Sequence, residues 1–407
     1  MQRRSLLGAM ERFHHQLGDV FRLPLPGFMP VMMVGPEANH FLLATCKDDL
    51  RWRSATDPVT RLLHHGVLVE DDDLHDNLRR TMNVALHRQM IGGYISAMVN
   101  GADDVTNLWH SGSTINTLDD MRKVALLVMT ETLYGVDFRP HMQRLWQGVI
   151  DSVRYISPGL WVMFPPLAKR GYTRHIRQLD RYLHEIIQER RDRPGDDLLG
   201  VLIAAGLDDD LIRDQLMTMV IAGQDTSTVA LTWALYLLSK YPDIQQRTFD
   251  EIQAVIGGDT PSEAQLKSLV YLTQVINEAL RLFPPIHLGA RIAENDLTFQ
   301  NHRIPAGTRV FYSIYLTHRH PDHWHAPDTF NPDRFAPDQK RSPYLFLPFG
   351  GGARNCLGMA LAQVQLKIVL ARLLQGWRFE LVRDNVRPYM GATLEPHPAP
   401  RLRVIRR

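Results

Sequence analysis

The chain has 407 residues, a formal net charge of +2, 44% hydrophobic and 22% charged residues, the balance of an ordinary soluble enzyme with material for a deep core. That charge implies no nucleic-acid partner. The two cysteines, Cys46 and Cys356, are too few for a disulfide framework and fit a reducing, cytoplasmic setting.

Paired Arg3 and Arg4 precede no adequate apolar run or cleavage-like site, so no export is expected. From Val20 to Val34, β-branched and aromatic residues flank Pro26-Gly27, the pattern of a short hairpin. Cys46 closes the apolar run from Phe41 and reads as a small buried hydrophobe. From about Leu74 to Gly257 the apolar spacing is helical, punctuated by Pro and Gly pairs. Within it, Leu216 to Leu238 approaches membrane-span length. Asp225 near its centre is too costly in lipid, so this is expected as a long helix through a soluble protein, without a transmembrane anchor.

Thr260-Pro261-Ser262-Glu263 has capping-box spacing with proline at the first helical position, and predicts a helix running toward Pro284-Pro285. Beyond Pro285, Leu297–Phe299 and Thr308–Phe311 predict two strands, with residues 304–307 as the turn between them. The last helix begins just after Cys356 and ends at Gly376. No repeat or flexible linker interrupts the chain. The expectation is therefore one domain over residues 1–407, mainly α with small β-sheets (α+β), with strands in 1–70 and 285–345 and helices in 74–283 and 357–375.

Phe349-Gly350-Gly351-Gly352-Ala353-Arg354-Asn355-Cys356-Leu357-Gly358 places a cysteine between a glycine-rich loop and a helix. Glycines permit close backbone approach to a flat cofactor, and the positive helix end with nearby amide hydrogens favours an anionic sulfur. A glycine loop with an incidental cysteine, or a nucleophilic cysteine, would share that local pattern. The segment, however, resembles the haem-binding signature of the cytochrome P-450 family: phenylalanine, two residues, glycine, one, arginine, one, cysteine, one, glycine.

Other segments extend the resemblance. Glu278 and Arg281 share a helix face and are similar to the family's glutamate-x-x-arginine pair, with Arg334 in Phe330–Phe335 completing a structural network. Ala222-Gly223-Gln224-Asp225-Thr226 resembles the stretch that passes over the haem. There the resemblance makes Asp225 and Thr226 the catalytic proton-delivery pair, and Ala222 and Gly223 the lining of the oxygen pocket. It also implies Cys356 as the proximal iron ligand, Phe349 and Gly358 as haem contacts, and His75, Arg79, Arg291 and Arg354 as propionate anchors. The histidines at 318, 320, 323 and 325 match a structural segment of the family, and no cysteine or carboxylate set completes a closed zinc site among them.

The implied fold is a cytochrome P-450 fold with a long central helix over haem b. The implied function is haem-thiolate monooxygenation, one oxygen atom of O2 entering an apolar small molecule. With no flavin or iron–sulfur module in this chain, electrons from NAD(P)H would arrive through a ferredoxin or flavodoxin and its reductase. Arg80, His87, Arg88, Lys367 and Arg372 form a candidate basic docking face, or simply a solvated one. Leu62, Leu63, Leu160, Trp161, Phe164 and Ile286, in the family's variable pocket segments, imply the apolar substrate, and a monomer is expected. A peroxygenase or isomerase, or a non-catalytic haem-dependent carrier or sensor, are the other readings of the same motifs. The sequence departs from the family at Asp71-Asp72-Asp73, where a glycine is expected near the middle, and at Val84, where relatives often place proline.

Overall fold

The computed structural model describes residues 5–23, 28–52, 54, 57–158 and 171–407. Helices of six or more residues are α1 (Leu6–Leu17), α2 (Pro58–Leu63), α3 (Asp72–Leu86), α4 (Ile95–Thr106), α5 (Thr117–Met129), α6 (Met142–Ile156) and α7 (Arg174–Arg190). They continue with α8 (Leu198–Ala204), α9 (Asp209–Met219), α10 (Thr226–Lys240), α11 (Pro242–Val255), α12 (Glu263–Ser268), α13 (Val270–Leu282) and α14 (Met359–Gly376). The strands are β1 (Val20–Arg22), β2 (Val31–Met33), β3 (Leu50–Arg51), β4 (Thr114–Asn116), β5 (Leu288–Ala293) and β6 (Leu297–Phe299). They end with β7 (His302–Ile304), β8 (Arg309–Ser313), β9 (Trp377–Leu381), β10 (Arg387–Met390), β11 (Leu394–His397) and β12 (Arg401–Arg406). A mainly helical molecule with small sheets results, as the pattern of periods implies.

The N-terminal hairpin forms as expected, β1 antiparallel to β2 with Phe21 opposite Met32. It is one end of a five-stranded sheet in the order β1-β2-β8-β5-β3, in which β2 and β8 run parallel. Two expectations fail here. Leu297–Phe299 does not pair with the strand containing Val310. It turns back at once to His302–Ile304, while β8 joins β5 and β2. The first seventy residues also hold more helix than strand, α1 and α2 among them. The C-terminal strands assemble a β4-β12-β9 sheet and a separate β10-β11 hairpin.

The capping box is real but lies two residues further on. Ser262 caps Gln265 N–H, and the Gln265 side chain returns to the Ser262 backbone. The helix it starts then breaks at Leu269, and α13 is a separate segment.

The main core lies between the helices, and α10 runs through it. Its residues Ser227 to Ser239 are all buried, as expected for a helix apolar on every side. A second core, with Leu42, Leu43, Cys46, Val310 and Leu347, lies against the five-stranded sheet. Cys46 is indeed a buried hydrophobe, and burial, reinforced by Asp49, pushes its thiol up to about 11. Asp72, at the position where a glycine is expected, adopts φ +57, the left-handed region glycine favours. Among the described residues no helix is long and apolar enough to cross a membrane.

Candidate functional site

The loop before α14 turns at Gly350 (φ +71) and Gly352 (φ +67). Gly352 is required twice over, because a Cβ there would sit 2.1 Å from the Leu43 carbonyl oxygen. The tight approach is thus to the turn at Phe41–Thr45. Phe349 is half-buried against the main core, and its carbonyl accepts the Cys356 N–H at 2.8 Å. Cys356 is solvent-accessible although protein surrounds its sulfur at depth, the property of a group facing an internal cleft. Burial pushes its thiol up, against the pull of the Gly358 N–H and the Arg79 guanidinium. Those two groups are the ones that favour a thiolate.

A hydrogen-bonded frame stands behind the loop. Arg281 donates to both oxygens of Glu278, at 2.6 and 2.8 Å, and to the carbonyls of His318, Pro327 and Thr329. Glu278 also accepts from Asn331 N–H at 3.0 Å and from Arg334 Nε at 3.3 Å. Both Glu278 and Arg281 are fully buried, so the pair is no exposed helical ion pair. His318, fully buried and lowered to about 3 by burial and the nearby Arg281 and Arg319 charges, is neutral. Its Nε2 therefore accepts Leu347 N–H at 2.9 Å. Glu278, Arg281 and His318 thus connect to the strand of chain that enters the cysteine loop.

From the other side Arg79 donates to Asn355 O and Oδ1 at 2.9 and 2.8 Å. Arg354 donates to the Glu70 carbonyl and pairs with Asp71. Arg291 lies 3.8 Å over the Trp52 ring and donates to the Ala290 carbonyl. His75 is buried, with Nδ1 on Asp76 at 2.9 Å. Burial lowers all four groups. Arg354 and then Arg79 lower His75 further, and Arg291 and Arg79 act likewise on Arg354. The structure therefore gathers three guanidiniums and an imidazole whose coupled carboxylates are Asp71 and Asp76. Such a cluster is short of negative charge and complements a dicarboxylate. With an accessible deep sulfur, and open space around Gly358 where a Cβ would meet nothing within 4 Å, the residues fit haem.

The long helix is broken where the chemistry is expected. Between α9 and α10 lies a π-helical segment, Val220–Asp225, a feature frequent at functional sites. Thr226 Oγ1 donates to the Ala222 carbonyl at 2.7 Å. From residue 212 to residue 239, Ala222, Gly223 and Thr226 are the positions that are not buried. The other face carries Asp225, only 1% exposed. It accepts from Thr393 Oγ1 at 2.8 Å and from Arg122 at 3.4 Å. Arg122 also donates to Glu395 at 2.8 Å. Burial raises Asp225, opposed by Arg122 and Thr393, and burial together with Asp225 raises Glu395.

Arg122, Thr393 and Glu395 are residues that sequence reasoning missed. They come from α5 and the β10-β11 hairpin, and Trp233 Nε1 pins that hairpin to α10 through the Leu394 carbonyl at 2.7 Å.

The expected pocket is corrected in part. Leu62 and Leu63, at the end of the short α2, are fully enclosed in the main core and present no surface to a ligand. Ile286, by contrast, is 42% exposed between buried neighbours. Leu160, Trp161 and Phe164 lie outside the described residues. On the basic face, Arg372 is paired with Asp103 at 2.7 and 2.9 Å, and Lys367 donates to the Leu266 carbonyl. The Arg372 charge is thus already answered by a carboxylate, and the Arg88 side chain lies outside the described residues.

The cytochrome P450 family model matches residues 2–399, and the chain belongs to that family. It is 29% identical over 409 positions to a protein named putative cytochrome P450 139 of Mycobacterium tuberculosis, covering 93% of this chain and 94% of that one. It is 31% identical over 337 positions to pentalenene oxygenase of Streptomyces avermitilis, covering 79% and 75%. A solved structure, retinoic acid bound cyanobacterial CYP120A1, matches with a TM-score of 0.87 at 25% identity, covering 98% of this chain and 94% of that one. The protein is a haem-thiolate monooxygenase that uses haem b, O2 and NAD(P)H-derived electrons delivered by partners.

Proposed function

We propose that Cys356 is the iron ligand of this monooxygenase, and that the substrate is an apolar small molecule taking up one oxygen atom. The observation that carries the assignment is a deep yet accessible cysteine sulfur, reached by the Gly358 amide and the Arg79 charge. Haem bound through that sulfur supplies the oxygen-activating chemistry.

The chain's own groups do the rest. Arg79, Arg291, Arg354 and His75 would hold the propionates, whose carboxylates would offset the mutual repulsion of the three guanidiniums. Phe349 and Gly358 bound the cofactor beside the cysteine. Ala222 and Gly223 would leave room for a small molecule beside the bound group, because neither carries more than a methyl group. Thr226 Oγ holds a proton at the accessible face of the helix. Asp225, raised by burial, holds a proton at its carboxyl oxygens more readily than an ordinary aspartate. Arg122 and Thr393 hold that carboxyl away from the cleft, so a rotation about its side chain brings the proton toward Thr226.

Exposed Ile286 supports an apolar ligand, as does the relative named for pentalenene. A ferredoxin or flavodoxin with its reductase is the proposed electron source, and the chain acts as a monomer in the cytoplasm. The acid–alcohol pair favours this reading over a peroxygenase, which needs no proton delivery to O2.

The test is the absorption spectrum of the reduced, carbon monoxide-bound protein. The red-shifted Soret band of thiolate ligation is expected in the parent and is lost in Cys356→Ser. A parent band at the shorter wavelength of neutral ligation, in freshly prepared material, would overturn the assignment.

A further inference from the structure

We propose that His14, Asp19 and His320 form a binding site for a divalent transition metal, with zinc as the representative ion, joining α1 to the segment after residue 317. The histidine-rich run at 318–325 lacks a ligand set when read along the chain. In the fold, the N-terminal segment supplies one.

Three local features bring the groups together. Gly18 (φ +83) ends α1, its N–H returning to the His14 carbonyl at 2.9 Å. The reversal carries Asp19 back beside His14, with His14 Nε2 and Asp19 Oδ1 2.8 Å apart. His320 arrives on a segment already held by Arg281 at the His318 carbonyl and by Thr317, whose Oγ1 accepts Gly35 N–H. Its Nε2 lies 3.0 Å from the same Asp19 oxygen.

The two imidazole nitrogens and the carboxylate oxygen all lie within 4.8 Å of one another. Ligands of a tetrahedral zinc ion at about 2.0–2.1 Å are spaced by roughly 3.3 Å, so side-chain rotations alone close the site. Two imidazoles and one carboxylate suit zinc and its first-row neighbours, whereas magnesium and calcium prefer oxygen-only sets. Three protein ligands leave a position for water.

Binding replaces the two Nε2 protons by the metal and leaves each imidazole protonated at Nδ1. For His320 this gives up one weak bond, from Asp322 N–H at 3.3 Å. His14 and His320 are mostly buried, while Asp19 is half-exposed and opens the site to solvent. The site is built from groups outside those assigned to the haem and the proton path.

The test is a zinc chloride titration of the full-length, haem-loaded protein by calorimetry in a non-chelating buffer, paired with thermal unfolding. One zinc per chain is expected to disappear from the binding curve in His14→Ala, and to bind at least about 10-fold more weakly in Asp19→Asn and His320→Ala. His325→Ala, at an exposed position outside the cluster, should match the parent. Zinc should raise the unfolding temperature of the parent and not of His14→Ala. His14 is on α1 and not on the segment held by Arg281, so its variant keeps the test decisive should His320→Ala fail to fold. Equal zinc stoichiometry and affinity in parent and His14→Ala would show a hydrogen-bonded clamp only and overturn the proposal. So would a parent whose unfolding temperature does not respond to zinc.

Discussion

The loop that ends at Cys356 and the helical segment from Val220 to Thr226 are held by opposite means. Behind the loop, both oxygens of Glu278 are engaged and Arg281 reaches two carboxylate oxygens and three carbonyls. In the helical segment the backbone leaves the α-helical ladder, Asp225 is buried on an Arg122 shared with Glu395, and Gln224 Oε1 and Arg122 Nε are buried without a hydrogen-bond partner. Full satisfaction of the Glu278–Arg281 pair makes a fixed support. Partial satisfaction leaves charge and protons that can be redistributed at modest cost. A metal ligand needs the first property and a proton carrier the second.

The largest effect should come from Glu278→Ala. Removing one member of this fully buried pair leaves Arg281 uncompensated, at a cost of about 3–5 kcal/mol. Denaturant unfolding should show that loss together with poor haem retention. A cost below about 1 kcal/mol, in the range of surface pairs, would erase the contrast drawn above.

Asp225→Asn should do the reverse, lowering turnover by about 100-fold while leaving the fold near parental stability. It also weakens the pH dependence of stability. Asp225 and Glu395 are raised in the folded state, so the native protein binds their protons more tightly than the unfolded chain does. Their contribution is most favourable below the ordinary carboxylate range and declines as pH rises through the raised values. The variant should lose its share of that slope in unfolding free energy measured against pH, and an unchanged slope would count against the buried-acid assignment.

Thr226→Ala removes the hydroxyl bonded to Ala222 and should spare haem content and most of the turnover of electrons. Oxygen reduced without product, read as peroxide per NAD(P)H consumed, should rise. Undiminished product per electron would remove Thr226 from the proton path. The smallest change is expected for Cys46→Ala. Its buried thiol, about 11, should react slowly with alkylating reagents in the parent, and the variant should lose at most about 1–2 kcal/mol with the spectrum intact.

What was legible in the sequence was what is contiguous or regularly spaced. The cysteine loop is a single run, and Glu278 with Arg281 is an i, i+3 pair, so both could be read before any folding was known. Arg122 could not, because along α5 it stands among ordinary charges such as Asp119, Asp120 and Lys123. Only the fold sets it between Asp225 and Glu395. Strand composition identified Leu297–Phe299 and the region of Val310 as strands but carried no information on partners, and β8 found β2 and β5 instead of its neighbour.

The capping signal was ambiguous in another way. Thr260 and Ser262 each have a suitable residue three positions on, and Ser262 prevails because Gln265 both closes the box and donates to the Val255 carbonyl at 2.9 Å. Leu62 and Leu63 show the same limit, since apolar residues look alike in sequence whether they line a ligand or fill a core.

Gly352 packed beneath the Leu43 carbonyl has a consequence for how the protein is made. One side of the cysteine loop rests on a turn translated near the start, and Asn355 is clasped by Arg79 across a sequence separation of 276 residues. The loop cannot close on the nascent chain until nearly all of it has left the ribosome. Cofactor capture is therefore a late event in biosynthesis, and a product truncated before the cysteine loop would carry the seat, Leu43 and Arg79, with no cysteine to place on it.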